Sequence, residues 1–301
     1  MDPVSVEKTY YEFNKEIPAS ATVASGALVK FVTCDCFGGQ ITMENFETAL
    51  ASKVFNWDTT NPTSGPVKVE GANPGDVLRV EILSIKAIGP CVIMTGKGIG
   101  ANKEHFDSVV TRVLEIKDNH VVFSPDIRIP VEPMIGVIGT APAGEPARNG
   151  WPGDHGGNLD CKLIKEGAAV YLPVAVEGGM LSLGDIHAVM GDGEVCGTGA
   201  ECPAEVIVKV ELLKGCKFPT PFIENGTHYA AVASRGTLDE AADRAVKNGV
   251  DFLMGEYGMS RYDAITFCSL AADVRICQIV DPLMTARLEI PKKYLAALKK
   301  S

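Results

Sequence analysis

The chain has 301 residues, 46% apolar and 22% charged, an ordinary composition for a folded globular protein with room for one large domain or two smaller ones. Lys and Arg number 28 against 38 Asp and Glu, a formal charge of −10; this argues against a nucleic-acid or anionic-membrane partner and fits a neutral or cationic small ligand, or an acidic pocket that holds a metal. The 31 Gly and 18 Pro, in a chain still rich in Val and Ile, read as many short strands joined by tight turns.

The first residues, MDPVSVEKTYYEFNKEIP, mix charges and lack an apolar h-region, so no signal peptide is expected. No apolar stretch reaches the ~18–20 residues of a membrane-spanning helix. The nine cysteines have no framework spacing and read as reduced thiols in a cytoplasmic protein. Cys34-Asp35-Cys36 has no matching second pair, so a four-cysteine zinc site is not expected.

Residues 76–86 put Leu78, Val80 and Ile82 on one face and Arg79 and Glu81 on the other, a half-buried strand. Segments 111–117 and 120–124 flank Asp118-Asn119, a hairpin turn signal. Residues 167–176 form a buried strand whose Pro173 suggests an edge or a bulge, and 204–214 alternate as a further strand. The pattern changes near residue 215. Residues 217–227 read as a linker or turn, and 228–233 as a short strand. Thr237 with Glu240 forms a capping box for a helix from Leu238 to about Met254. Its apolar face carries Leu238, Ala241, Ala242, Ala245, Val246 and Val250. Ser260 caps a second helix through about Ala272, and 274–280 follow as a strand. The expected fold is mainly β: a sandwich- or barrel-like body over residues 1–215 carrying the chemistry, with a smaller α+β lobe over 216–301.

Two Gly-rich clusters concentrate that chemistry. Residues 151–160, WPGDHGGNLD, hold Asp154, His155, Asn158 and Asp160; residues 184–194, GDIHAVMGDGE, hold Asp185, His187, Asp192 and Glu194. Carboxylates and imidazoles suit zinc and other divalent ions, and Gly lets the backbone bend until neighbours converge. In an extended stretch Asp185 shares a face with His187, and Asp192 with Glu194. The same Asp-Gly and Gly-Asn pairs also form ordinary turns, in which an Asp caps its own backbone. Asp35, ahead of Gly38-Gly39, reads either as a ligand at a strand end or as such a turn residue. GKGIG at 96–100 fails the spacing of a phosphate loop, and nucleotide binding is not expected.

The segments DHGGNLD and GDIHAVMGDGEVCGTGAE closely resemble the signatures of the acetamidase/formamidase family, as do CDCFGGQI near the start and PMIGVIGTAP from Pro133. The resemblance spans nearly the whole chain. It implies hydrolysis of short-chain aliphatic amides, a mainly-β body and a homo-oligomer, a dimer or larger. Set against that chemistry, Asp35, His155, Asp160 and His187 are the expected ligands of a divalent metal, zinc foremost, with calcium as a candidate second ion. Asp154, Asp185 and Asp192 are reserves that orient the imidazoles or hold the second ion. Glu194 is the expected general base, and the N–H groups of Gly156, Gly157 and Asn158 the expected oxyanion donors. Other readings are a Cys196 nucleophile, a non-catalytic metal- or ligand-binding β-barrel, and a metal-dependent isomerase or decarboxylase on a similar scaffold.

Overall fold

The computed structural model describes residues 2–48 and 56–298. Strand makes up 42% and helix 13%, which places the chain in the mainly-β class. The main strands up to the first long loop are β1 (Val4–Val6), β2 (Ala27–Thr33), β3 (Thr63–Val69), β4 (Val77–Ala87), β5 (Cys91–Gly96) and β6 (Val109–Leu114). Then follow β7 (Met134–Gly139), β8 (Gly156–Asn158), β9 (Ala169–Pro173), β10 (Leu181–His187), β11 (Glu201–Cys202) and β12 (Ala204–Leu213). The chain closes with β13 (Phe222–Glu224), β14 (His228–Arg235), α1 (Leu238–Tyr257), α2 (Arg261–Ala271), β15 (Asp273–Gln278) and β16 (Met284–Pro291).

One nine-stranded sheet runs β1-β2-β12-β4-β9-β13-β14-β16-β15. Along β12 the alternation expected from the sequence is realised: Val206, Val208 and Val210 are buried between partly exposed neighbours. A register shift between Ile207 and Val208 leaves Leu83 of β4 unpaired. This bulge moves the buried face of β4 from Ile82 to Ile85, three residues on instead of two or four. A second sheet runs β8-β7-β10-β11-β5-β6, with β3 paired to β10. Val80, Ile82, Val170 and Leu172 of the first sheet meet Ile135, Ile138, Leu183 and Ile186 of the second in one dry core. This packing of sheet on sheet is the expected sandwich-like body.

A second core lies between α1, α2 and the C-terminal strands of the first sheet. The Thr237 hydroxyl accepts from the Glu240 N–H and the Ser260 hydroxyl from the Asp263 N–H, so both helices start where the capping residues predict. Both helices and β14 hold within a few residues of the expected bounds. Two expectations fail. Pro173 marks no edge: β9 lies between β4 and β13, and its Pro is tolerated as the last residue of the strand. The expected linker at 217–227 contains β13, which pairs with β9 and β14, so residue 215 falls between two strands of one sheet. Among the described residues no helix is long and apolar enough to cross a membrane.

The second core is built on aromatic rings. Phe252 of α1 lies 4.6 Å from Phe222, 4.8 Å from Tyr229 and 5.1 Å from Phe218, centroid to centroid. Phe252→Ala should destabilise the protein by about 3–5 kcal/mol, read as a lowered urea midpoint; an unchanged midpoint would mean that these rings do not hold the helix to the sheet.

Candidate metal centre

His187 ends β10 and is wholly buried. Three carboxylates surround its Nε2: Glu201 Oε1 at 3.1 Å, Asp185 Oδ1 at 3.6 Å and Asp160 Oδ1 at 3.8 Å. Asp185 lies two residues back on the same strand, so alternation gives it the same face, as the sequence indicated. Glu201 lies directly opposite His187 on β11. Asp160 follows β8 and hangs its N–H on the Gly136 carbonyl of β7. Two glycines make the approach possible. A Cβ at Gly136 would sit 2.6 Å from Asp160 Oδ1 and 2.7 Å from Asp185 Oδ2, and one at Gly199 would sit 2.4 Å from the His187 ring.

Glu194 completes the cluster from the β10–β11 connection. Asp160, Asp185 and Glu194 all have left-handed backbones, with φ of 41°, 56° and 48°. Such a conformation costs about 1–3 kcal/mol per residue and persists where the surroundings impose it. Asp281, in the turn after β15, accepts from Asn158 Nδ2 at 3.0 Å. Two triplets place their ligand atoms within 4.8 Å of one another: Asp160, His187 and Glu194, and Cys36, Asp185 and Glu201. Cys36, Asp185, Glu194, Glu201 and Asp281 line one cavity of about 500 Å³, with Phe37, Met94, Ile99 and Val280 on its apolar side.

The charges do not balance. Among the described residues no Lys or Arg pairs with these acids; His187 is the cationic partner they share. Both His187 ring nitrogens, both Asp160 oxygens, Asp185 Oδ1 and Glu201 Oε2 are buried without a hydrogen-bond partner. Burial lifts the Asp160 carboxyl to about 7, with Asp185 adding to the effect. Burial also lifts Glu201, to about 8, against the pull of His187. Burial and then Asp160 hold Glu194 well above the usual carboxylate range. Burial pulls His187 down, but Glu201 and Asp185 outweigh it and raise the ring well above its ordinary value. Buried oxygen and nitrogen donors left without partners, with the Cys36 thiol beside them, are groups that could hold a divalent cation.

The other sequence candidates lie elsewhere. Asp35 Oδ1 accepts from the N–H groups of Phe37 (2.8 Å) and Gly39 (3.0 Å), so it is tied up in shaping the loop that carries Cys36 and Phe37. His155 packs edge-on to Phe13, 5.1 Å away, and does not line the acidic cavity. Asp154 is exposed on Arg235. Asp192 and Glu194 do not share a face, because the turn at Gly193 separates them. Asp192 is held bidentately by the buried Arg287 at 2.9 and 2.8 Å. The Gly156 N–H is spent on the Gly153 carbonyl. Neither Gly156 nor Gly157 lines the cavity, whereas Asn158 does and keeps a buried Oδ1 without a partner. Residues 97–100 of the GKGIG segment form part of the cavity wall, against the Glu194 loop. Sequence reasoning did not single out Glu201, Asp281 or Cys36 as site residues. Glu201 closes the quoted GTGAE string and Cys36 lies in CDCFGGQI, but no spacing rule ties them to His187.

His155 should stay neutral down to about pH 4, because burial depresses its ring from the ordinary 6.5. The unfolded chain binds that proton first, so this group removes stability as pH falls from about 6.5 towards 4. Imidazole NMR shifts check the value; titration of His155 near 6.5 would show the ring to be solvated.

The sequence matches the model of the Acetamidase/Formamidase family over residues 4–149 and 143–296. A formamidase of Methylophilus methylotrophus is 27% identical over 93% of this chain and 87% of its own. A formamidase-named protein of Schizosaccharomyces pombe is 28% identical over 67% of this chain, and the match spans only 63% of that relative. The crystal structure of an acetamidase from Bacillus halodurans superposes with a TM-score of 0.94 at 44% identity, covering 98% of this chain and 99% of that one. With the family model matching nearly the whole chain and the fold shared with a 44% identical acetamidase structure, the chain belongs to the acetamidase/formamidase family.

Proposed function

We propose that the protein hydrolyses short-chain aliphatic amides to a carboxylate and ammonia with the help of a divalent cation, zinc foremost. The observation that carries this reading is the buried set of carboxylates around His187 with its orphaned donor atoms, opening on a small cavity. His187, Asp160, Asp185 and Glu201 would hold the cation, with Cys36 beside the last two. An ion in such a set lowers the pKa of water towards ~7 and polarises a carbonyl. Glu194 faces the cavity beside Asp160 and His187, so as a carboxylate beside a bound cation it would take the proton from water and pass it to the leaving ammonia. Asn158 lines the cavity with a buried Oδ1 that has no hydrogen-bond partner, and it would accept from the substrate N–H₂. The apolar wall of Phe37, Met94 and Ile99 suits a short acyl chain, while Asp185, Glu194, Glu201 and Asp281 disfavour an anionic one. The nine cysteines are all free, in keeping with a reducing compartment.

A Cys196 nucleophile has less support. Its thiol donates to the Thr198 carbonyl at 3.3 Å, and it lines a neighbouring cavity rather than the acidic one. A chelator should therefore abolish ammonia release from formamide and acetamide, added zinc should restore it, and Cys196→Ala should leave turnover unchanged. Full activity in metal-free protein would overturn the metal reading.

Glu194→Gln should retain the metal, measured by elemental analysis, and lose turnover by roughly 10²–10⁴-fold. His187→Ala should lose both metal and turnover. Loss of metal in Glu194→Gln would make Glu194 a ligand; normal turnover would remove it from the chemistry.

A further inference from the structure

Asn158 and Asp281 both line the acidic cavity and meet there from positions 123 residues apart. Asn158 is the last residue of β8, where it pairs with Val137 of β7, and it is 5% exposed. Its Nδ2 donates to Asp281 Oδ2 at 3.0 Å, whereas its Oδ1 is buried without a partner. Asp281 is fixed from inside its own turn by the wholly buried Gln278. Gln278 Oε1 accepts from the N–H groups of Val280 at 2.9 Å and Asp281 at 3.0 Å. Its Nε2 donates to the Leu283 carbonyl at 2.7 Å and to the Thr285 hydroxyl at 3.0 Å.

An asparagine amide has nearly the same shape at its two ends and opposite chemistry: the oxygen accepts and the nitrogen donates. Without a neighbour to decide, either end could face a ligand. An ionised carboxylate only accepts, so it takes the nitrogen and leaves the oxygen for whatever enters the cavity. A buried acceptor is costly until a donor reaches it. The N–H₂ of a primary amide brings such a donor. The alkoxy oxygen of an ester, at the same place on the same acyl group, brings only lone pairs.

We infer, resting on the amide-hydrolysis reading, that Asp281 is a positioning residue for substrate choice. By holding Asn158 Nδ2 it aims Oδ1 at the leaving nitrogen, and the site thereby takes an amide and rejects the ester of the same acid. The acyl group is common to both, so the discrimination lies at the leaving atom alone. A site that hydrogen-bonds a substrate N–H rejects the analogue without it, because its own polar group is then left buried and unpaired. Gln278 stands behind this arrangement as the support of the turn, and Asn158 is the group that touches the substrate.

Binding of acetamide and of methyl acetate is compared by saturation-transfer NMR on the full-length Glu194→Gln protein with zinc added, in which turnover is suppressed. Acetamide should bind about tenfold or more tightly than the ester. Asp281→Asn keeps the shape but lets the Asn158 amide present either end, so the preference should fall to about threefold or less. Asn158→Ala should abolish the preference, and adding Asp281→Asn to it should change the ratio no further. Equal or undetected binding of the two compounds before these changes, or a ratio untouched by Asp281→Asn, would overturn the inference. So would an equal effect of Asp281→Asn with and without Asn158, which would mean that Asp281 acts by its charge alone, or loss of zinc from Asn158→Ala, which would make Oδ1 a cation donor. The expected ratios in a protein whose Glu194 form releases no ammonia would sink the amidase reading and leave the role of Asp281 standing.

Discussion

Negative charge gathered in a buried pocket is the constraint around which this molecule is built. Asp160, Asp185, Glu194 and Glu201 are buried about one imidazole, an arrangement that repels itself unless protons or a cation intervene. The surrounding structure supplies what such a cluster needs. Gly136 and Gly199 remove the side chains that would hold the donors apart, and left-handed backbone at three of the acids turns them inward. Rigid ladders on both sides of β10 keep the set from relaxing outward.

The loop from β10 to β11 is held at its far side by an ion pair between the half-buried Asp192 and the buried Arg287. Arg287 is 1% exposed and grips Asp192 through both terminal nitrogens, while its Nε donates to Glu289 and its Nη1 to the Ile276 carbonyl. The Gly193 N–H donates to the Cys277 carbonyl, and the Ile279 N–H to the Gly193 carbonyl. Glu194 is therefore positioned by β15 and β16, strands that contribute no ligand. Asp192 is also paired with Lys162, 3.1 Å away, so two cations fix this end of the loop. Asp192 thus acts on the loop, two residues from the chemistry.

The sequence disclosed the local rules and concealed the long-range ones. Alternation at 204–213 and the capping residues Thr237 and Ser260 located elements closely, because those signals are carried by neighbours in the chain. Asp185 and His187 were legible as a pair for the same reason. Glu201 and Asp281 were not, since Glu201 reaches His187 through strand register and Asp281 reaches Asn158 from a turn 123 residues further along the chain. His155 and Asp154 misled by proximity to Asp160: a chain rich in Gly reverses direction within a few residues, and its side chains scatter to different faces. The short strand β13 was masked by Pro and by flanking turn residues, and only its place between β9 and β14 makes it a strand.

The order of strands in the first sheet also governs how the chain can assemble. β12 lies between β2 and β4, pairing Ala204 with Thr33 on one side and with Ala87 on the other. During synthesis the earlier strands wait, and their facing edges stay open until residues 204–213 arrive to close the gap. Ladders of such sequence separation form slowly, and open edges recruit other chains in the meantime. A chain interrupted before residue 204 would therefore be no smaller version of the body. It would be two sheet halves with unmatched edges, prone to pair with strangers, and the quality of the finished fold depends on the late insertion of one well-patterned strand.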